Sequence, residues 1–158
     1  MPKRKTSWQE KLQDKTGYPK VVTIEEKMSK RWGTGTVVIP SPIEVDLYMR
    51  QVPKGKLTTI NEIRQALAAK HKASIGCPIT TGIFAWIAAN AAEEQKLQGR
   101  NDTTPYWRTL KTKGLINEKY PGGTQGQTIL LEQEGHVVIK KGKNFFVKDY
   151  EKALVKLS

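Results

Sequence analysis

The sequence predicts a mostly α-helical domain with a helix-turn-helix and one small β-hairpin, winged-helix-like in outline. Three observations carry that expectation. Apolar residues recur at helical spacing behind two Ser/Thr caps, at Ser41 and Thr59. An alanine-rich apolar run over 80–97 follows the second of these after a short Gly76-Cys77-Pro78 break. Near the C-terminus, the runs 136–139 and 145–147 flank Lys140-Lys141-Gly142-Lys143-Asn144, the pattern of a hairpin.

Residues 1–40 are rich in Lys and Arg and carry turn signals at Thr16-Gly17, Gly33-Thr34-Gly35 and Ile39-Pro40. This stretch reads as a basic arm draped on the domain, with one short strand and one helical turn in PKVVTIEEKMSKRWG. Ser41-Pro42-Ile43-Glu44 then opens a helix. Ser caps it, Pro suits the first turn, and Glu44 stands three residues after the cap. Val45, Tyr48, Met49 and Val52 form its inner face, and Pro53 ends it.

Thr59-Ile60-Asn61-Glu62 is a second capping box, with Ile60, Ile63 and Leu67 on one face. In the helix over 80–97, Ile83, Phe84, Ile87 and Ala91 are expected to face the core. Gly82, Ala85 and Ala89 make a second, nearly smooth stripe. Such a stripe suits close packing on another helix, and it also suits close approach of a nucleic-acid backbone. Thr124-Gln125-Gly126-Gln127 opens a further helix that Gly135 closes, and Asp149 is expected to cap a last one.

Charge restricts the function classes. The chain has 158 residues, with 27 Lys plus Arg against 15 acids, a formal +12. That excess favours a polyanionic partner, with nucleic acid first. One Cys allows no internal disulfide and suits a reducing compartment, so a cytoplasmic, nucleoid-associated monomer is expected. Two His and one Cys supply too few ligands for a transition-metal site, and no cofactor motif is present. No apolar run is long enough for a bilayer, so no membrane partner is expected. Cys77 has no imidazole beside it in sequence to activate it as a nucleophile.

The segments VPKGKLTTINEI, CPITTGIFAWIAANA, PYWR and YPGGTQGQTILLEQEGH, in that order, resemble the C-terminal domain of the methylated-DNA–protein cysteine methyltransferases. The resemblance spans roughly 41–136 and leaves 137–158 as an extension. It implies that family's DNA-binding helix-turn-helix fold, with double-stranded DNA as partner. The family's Pro-Cys-His-Arg loop is matched at Pro105 and Arg108, but Tyr106 stands at the acceptor Cys and Trp107 at the His. Glu134 matches the family's Glu. A phenol with an ordinary pKa near 10 cannot replace an activated thiolate, so the resemblance implies no methyl transfer.

It points instead to the alkyltransferase-like branch. Those proteins bind O6-alkylguanine in DNA without repairing it and pass the lesion to a repair partner. Under that reading Pro105, Tyr106, Trp107, Arg108 and Glu134 form a lesion pocket. Lys54, Lys56, Thr59, Arg64, Thr80, Thr81, Gly82, Ala85, Ala89, Lys111 and Lys113 form the DNA-binding surface. Two departures remove expected supports for nucleotide flipping: Ile60 replaces the family's Tyr and Gly82 its Arg. An insertion over 93–103 lengthens the link to PYWR. The rival readings are a winged-helix regulator of a defined DNA site and a catalytically dead interaction module.

Overall fold

In the computed structural model residues 6–158 are described. The described part of the N-terminal stretch is ordered by the body of the protein. Helix α1 (Trp8–Leu12) is capped by Ser7, whose side chain accepts from the Glu10 N–H. Strand β1 (Lys20–Thr23), a 3-10 turn at Glu26–Met28 and α2 (Ser29–Trp32) follow, as the sequence suggests. Strand β2 (Thr36–Ile39) pairs antiparallel with β1. Leu12 and Val38 reach the main core, while Ile24 and Val37 form a small cluster with Cys77.

Helix α3 (Pro42–Arg50) starts where the Ser-Pro-Ile-Glu motif places it. The Glu44 carboxylate turns back to accept the Ser41 N–H at 3.1 Å, which satisfies a helix-end donor. Val45 and Met49 are fully buried. Strand β3 (Thr58–Thr59) leads into α4 (Ile60–His71), where the Thr59 hydroxyl accepts from the Glu62 N–H at 3.2 Å. Ile63 and Leu67 are fully buried and Ile60 only partly so. Lys72 in the left-handed region ends α4. Strand β4 (Ile75–Gly76) then pairs parallel to β2.

Helix α5 (Pro78–Leu97) completes the helix-turn-helix. Of the residues expected to face the core, Ala91 is buried and Phe84 and Ile87 pack against the core, but Ile83 does not. Ala85, Ala88, Ala89, Ala91 and Ala92 are buried, whereas Ile83 is 46% exposed. Small residues let α5 approach α1 and α3 closely, and that packing outweighs the pull of the larger side chains.

After α5 the chain forms a 3-10 turn at Tyr106–Arg108 and strand β5 (Thr109–Leu110), which pairs parallel to β3. Helix α6 (Gly123–Gln133) and the hairpin β6 (Val138–Lys141) and β7 (Asn144–Val147) follow. The expected last helix is absent: residues Tyr150–Ala153 make one 3-10 turn. Asp149 has φ +56°, which cannot supply the extended backbone of an N-cap. The chain runs on beside Leu57, whose N–H donates to Ala153 and whose carbonyl accepts from Val155. Leu57, Leu110, Ile116, Leu131 and Val147 build a second core there.

Gly76 sets the spacing inside the helix-turn-helix. A Cβ on it would lie 2.6 Å from the Arg64 carbonyl oxygen and 2.9 Å from the Arg64 Cα, both backbone atoms that cannot give way cheaply. Gly76→Ala is therefore expected to destabilise the fold by about 1–3 kcal/mol. A lowered urea midpoint would register it, and an unchanged midpoint would refute the close approach.

Candidate nucleic-acid interface

The site begins with the loop that joins α5 to β5. Thr104 is buried, and its hydroxyl donates to the Asp46 carboxylate on α3, which also holds Arg50. Pro105 then starts the 3-10 turn, closed by the Arg108 N–H on the Pro105 carbonyl. Gln127 of α6 is fully buried and braces this turn. Its amide nitrogen donates to the Trp107 carbonyl at 3.1 Å, and its oxygen accepts the Asn117 N–H at 2.8 Å.

Glu134 collects the rest. It stands at the C-terminal cap of α6, where a negative charge alone is unfavourable against the helix dipole. Arg108 answers that charge with a two-pronged contact, Nε to Oε1 at 3.0 Å and Nη2 to Oε2 at 2.7 Å. Trp107 Nε1 donates to the same carboxylate at 3.1 Å, and the Gly55 N–H at 3.3 Å. Arg108 also donates to the Val52 carbonyl at 2.8 Å and lies 5.3 Å from the Trp107 ring centroid. Burial raises the Glu134 carboxyl, but the bonds from Arg108, Trp107 and Gly55 outweigh it and hold the group below its ordinary value.

The loop residues therefore do come together, but Tyr106 does not line an open pocket. It is 3% exposed, packed edge-on between Trp107 at 5.4 Å and Tyr120 at 5.7 Å between ring centroids. Its hydroxyl donates to Glu93 of α5 at 3.2 Å. Burial pushes the phenol strongly up, and the Glu93 charge adds to it. A group held protonated in this way is no nucleophile at neutral pH. Tyr106 itself is thus a packed side chain, held edge-on by two further aromatic rings.

The expected DNA-binding set divides. Thr81, Ala85 and Ala89 are fully buried, so no nucleic-acid backbone can reach them, and Ala85 and Ala89 serve packing. Thr59 is 3% exposed and serves as a helix cap. Arg64 is turned inward, its Nε donating to the Gly76 carbonyl at 2.8 Å and its Nη1 to Asn61 at 3.1 Å. Thr80 is half-buried and its hydroxyl has no hydrogen-bond partner. Lys54 and Lys56 are exposed on either side of Gly55.

Gly82 and Lys111 fare differently: both line an open groove of about 670 Å³. Lys113 is exposed in the loop beyond it. The groove runs between the outer face of α5 and the segment 111–119. Ile79 and Ile83 stand on its rim, 59% and 46% exposed. Ile60 and Trp86 form its walls, and Trp86 Nε1 donates to the Lys119 carbonyl at 3.1 Å. Trp8 backs Trp86 edge-on at 4.8 Å, held by Glu94, which accepts the Trp8 and Gln9 N–H groups at 3.1 and 3.2 Å. Apolar walls with cations at the rim suit sugar or base contact with phosphates alongside. Sequence reasoning missed Trp86, Tyr120, Gln127 and Lys119. No local sequence signal marked the groove, because isoleucine on this helix reads as a core residue.

The Arg108–Glu134 pair is nearly buried, at 14% and 7% side-chain exposure. Arg108→Met should cost about 3–5 kcal/mol at pH 7 in urea unfolding, since it leaves the carboxylate without its cation. Because the folded Glu134 pKa is lowered, its stabilisation is complete above the unfolded value of 4.5 and lost as pH falls through the folded one. Glu134→Gln should show a shallower loss of stability between about pH 5 and 2 than the wild type. Equal slopes would contradict this.

Comparison with known proteins finds the fold elsewhere. No family model matches the chain, and no curated protein sequence matches it. A solved structure of S. pombe Atl1 in complex with damaged DNA containing O6-carboxymethylguanine is similar, at 20% identity and a TM-score of 0.50. A structure of S. pombe ATL in complex with DNA is similar at 18% identity and a TM-score of 0.54. Each alignment covers 73% of this chain and 94% of the other. At these identities the likeness is one of fold.

Proposed function

We propose that this chain is a non-enzymatic protein that binds duplex DNA through the outer face of α5 and the basic segment 111–119. The groove carries the reading: an open, apolar-walled channel of about 670 Å³ on a helix-turn-helix, with Lys111 and Lys119 at its edge. The formal +12 supplies the salt-dependent attraction. The fold likeness to two proteins solved with DNA supports the same reading.

Absence of alkyl transfer follows from the chemistry of the acceptor position. Tyr106 is buried, protonated and bonded to Glu93, and Trp107 offers no base. Cys77, the one thiol, is 5% exposed beside Ile24 and Val37, where DNA does not reach it. The groove beside Ile60 and Trp86 is the place for any alkylated base, because Tyr106 is packed between Trp107 and Tyr120.

Fluorescence anisotropy with a labelled duplex tests the binding. Affinity should fall steeply with salt, and Lys111→Gln/Lys119→Gln should weaken it several-fold. Each phosphate that a lysine no longer neutralises shallows the salt dependence by about 0.9 in log–log slope. No binding at physiological salt would leave the interaction-module rival standing. A selection from random oligonucleotides that returns one motif would favour the regulator instead. Equal affinity for duplexes with and without O6-methylguanine would keep DNA binding and remove lesion sensing. Intact mass should stay unchanged after incubation with alkylated DNA.

Gly82 gives a gain-of-function check. A Cβ there meets nothing within 4 Å, so a long side chain fits toward the groove. Gly82→Arg should stabilise α5 by about 0.5–1 kcal/mol and raise DNA affinity. Weaker binding by that variant would argue against the α5 face.

A further inference from the structure

We propose that the C-terminal hairpin is a second phosphate-binding surface, a basic wing that carries the duplex beyond the α5 groove. This rests on the DNA-binding reading above and deepens it.

The hairpin tip is built for charge display. Lys141 pairs with Asn144, so only Gly142 and Lys143 make the turn, and Gly142 takes φ +63°. Lys140, Lys141 and Lys143 are all exposed. Among the described residues none of the three forms an ion pair. Lys140 lies 5.8 Å from the Phe145 ring centroid. A hairpin tip with three uncompensated cations within four residues repels itself, and an external anion relieves that repulsion.

The tip is also fixed in place. The Phe145 carbonyl accepts the Ile116 N–H at 2.9 Å, and Phe146 bridges to Leu115. Val147 is 1% exposed in the second core. The hairpin backbone is thus held on the segment 111–119, and Lys143 faces that segment across a shared groove.

That segment connects the two surfaces. A second groove of about 310 Å³ lies between it and the hairpin, lined by Lys111, Lys143, Asn144, Thr124 and Glu118. Lys111 and Glu118 line the α5 groove as well. One segment therefore forms the common wall of both grooves, with Lys111, Lys113 and Lys119 on it and Lys143 of the hairpin tip across from it. Glu118 is the acid shared by both grooves, and its contact with Lys111 is exposed and long, at 3.5 Å. Such a pair contributes little and yields readily to a phosphate. The tip carries no apolar side chain for insertion into lipid, so a polyphosphate backbone fits it better than a membrane surface.

The test compares salt dependence of duplex binding by the whole chain. The variant Lys140→Gln/Lys141→Gln/Lys143→Gln should flatten the log–log salt slope by about 2–3 and weaken binding about tenfold or more at physiological salt. A charge-matched variant, Lys15→Gln/Lys20→Gln/Lys30→Gln, should change the slope by less, and thermal melts should show both variants folded. Equal effects of the two variants, or an unchanged slope in the hairpin variant while the wild type binds DNA, would overturn the wing alone. A wild type that does not bind DNA would overturn the wing together with the reading on which it rests.

Discussion

The Glu134 carboxylate is where the separate parts of this molecule are tied together. It takes hydrogen bonds from the 3-10 turn through Trp107 and Arg108, and from the turn before β3 through Gly55. Arg108 extends the tie to Val52, just past α3. The end of α6, the loop after α5 and the start of the β3–β5 pair are thereby fixed against one another. Charge decides the arrangement. A carboxylate at a helix C-terminus, largely out of water, is tolerated only with a cation and further donors around it.

The same tie explains why the aromatics of the loop are buried. With Trp107 held by Glu134 and its carbonyl by Gln127, Tyr106 is turned toward Tyr120 and Glu93. A site of this kind holds its loop in a set shape without offering a reactive group. One helical face away lies the open groove walled by Ile60 and Trp86. The N-terminal stretch supports that wall, because Trp8 meets Trp86 edge-on and Glu94 fastens α1 to α5.

Much of the fold was legible in the residues. Capping at Ser41 and Thr59, the helix stop at Pro53, and the Lys-Gly-Lys turn are local effects, and local effects are what a sequence displays. The orientation of α5 was only partly legible: Phe84, Ile87 and Ala91 meet the core as expected, while Ile83 faces out. Alanine and isoleucine both read as core residues, and only the close approach of α1 and α3 shows that the alanines face inward. The Asp149 cap failed for a similar reason: tertiary pairing of the tail with Leu57 overrides a helix start. In the site, the grouping of Trp107, Arg108 and Glu134 came from the family resemblance, not from any local pattern. The closed state of Tyr106 did not, since it depends on Tyr120 and Gln127, which sit distant in sequence and buried in the structure.

The central claim is that duplex DNA meets the α5 groove while the Tyr106–Trp107 loop stays shut. The four tryptophans give a direct view of it, since each indole N–H has its own proton–nitrogen resonance. During titration with duplex DNA, the Trp86 indole signal should shift to saturation, because its N–H sits on the groove wall at the Lys119 carbonyl. The Trp107 signal, locked on Glu134, should stay in place. A shifting Trp107 signal beside an unmoved Trp86 would contradict the claim.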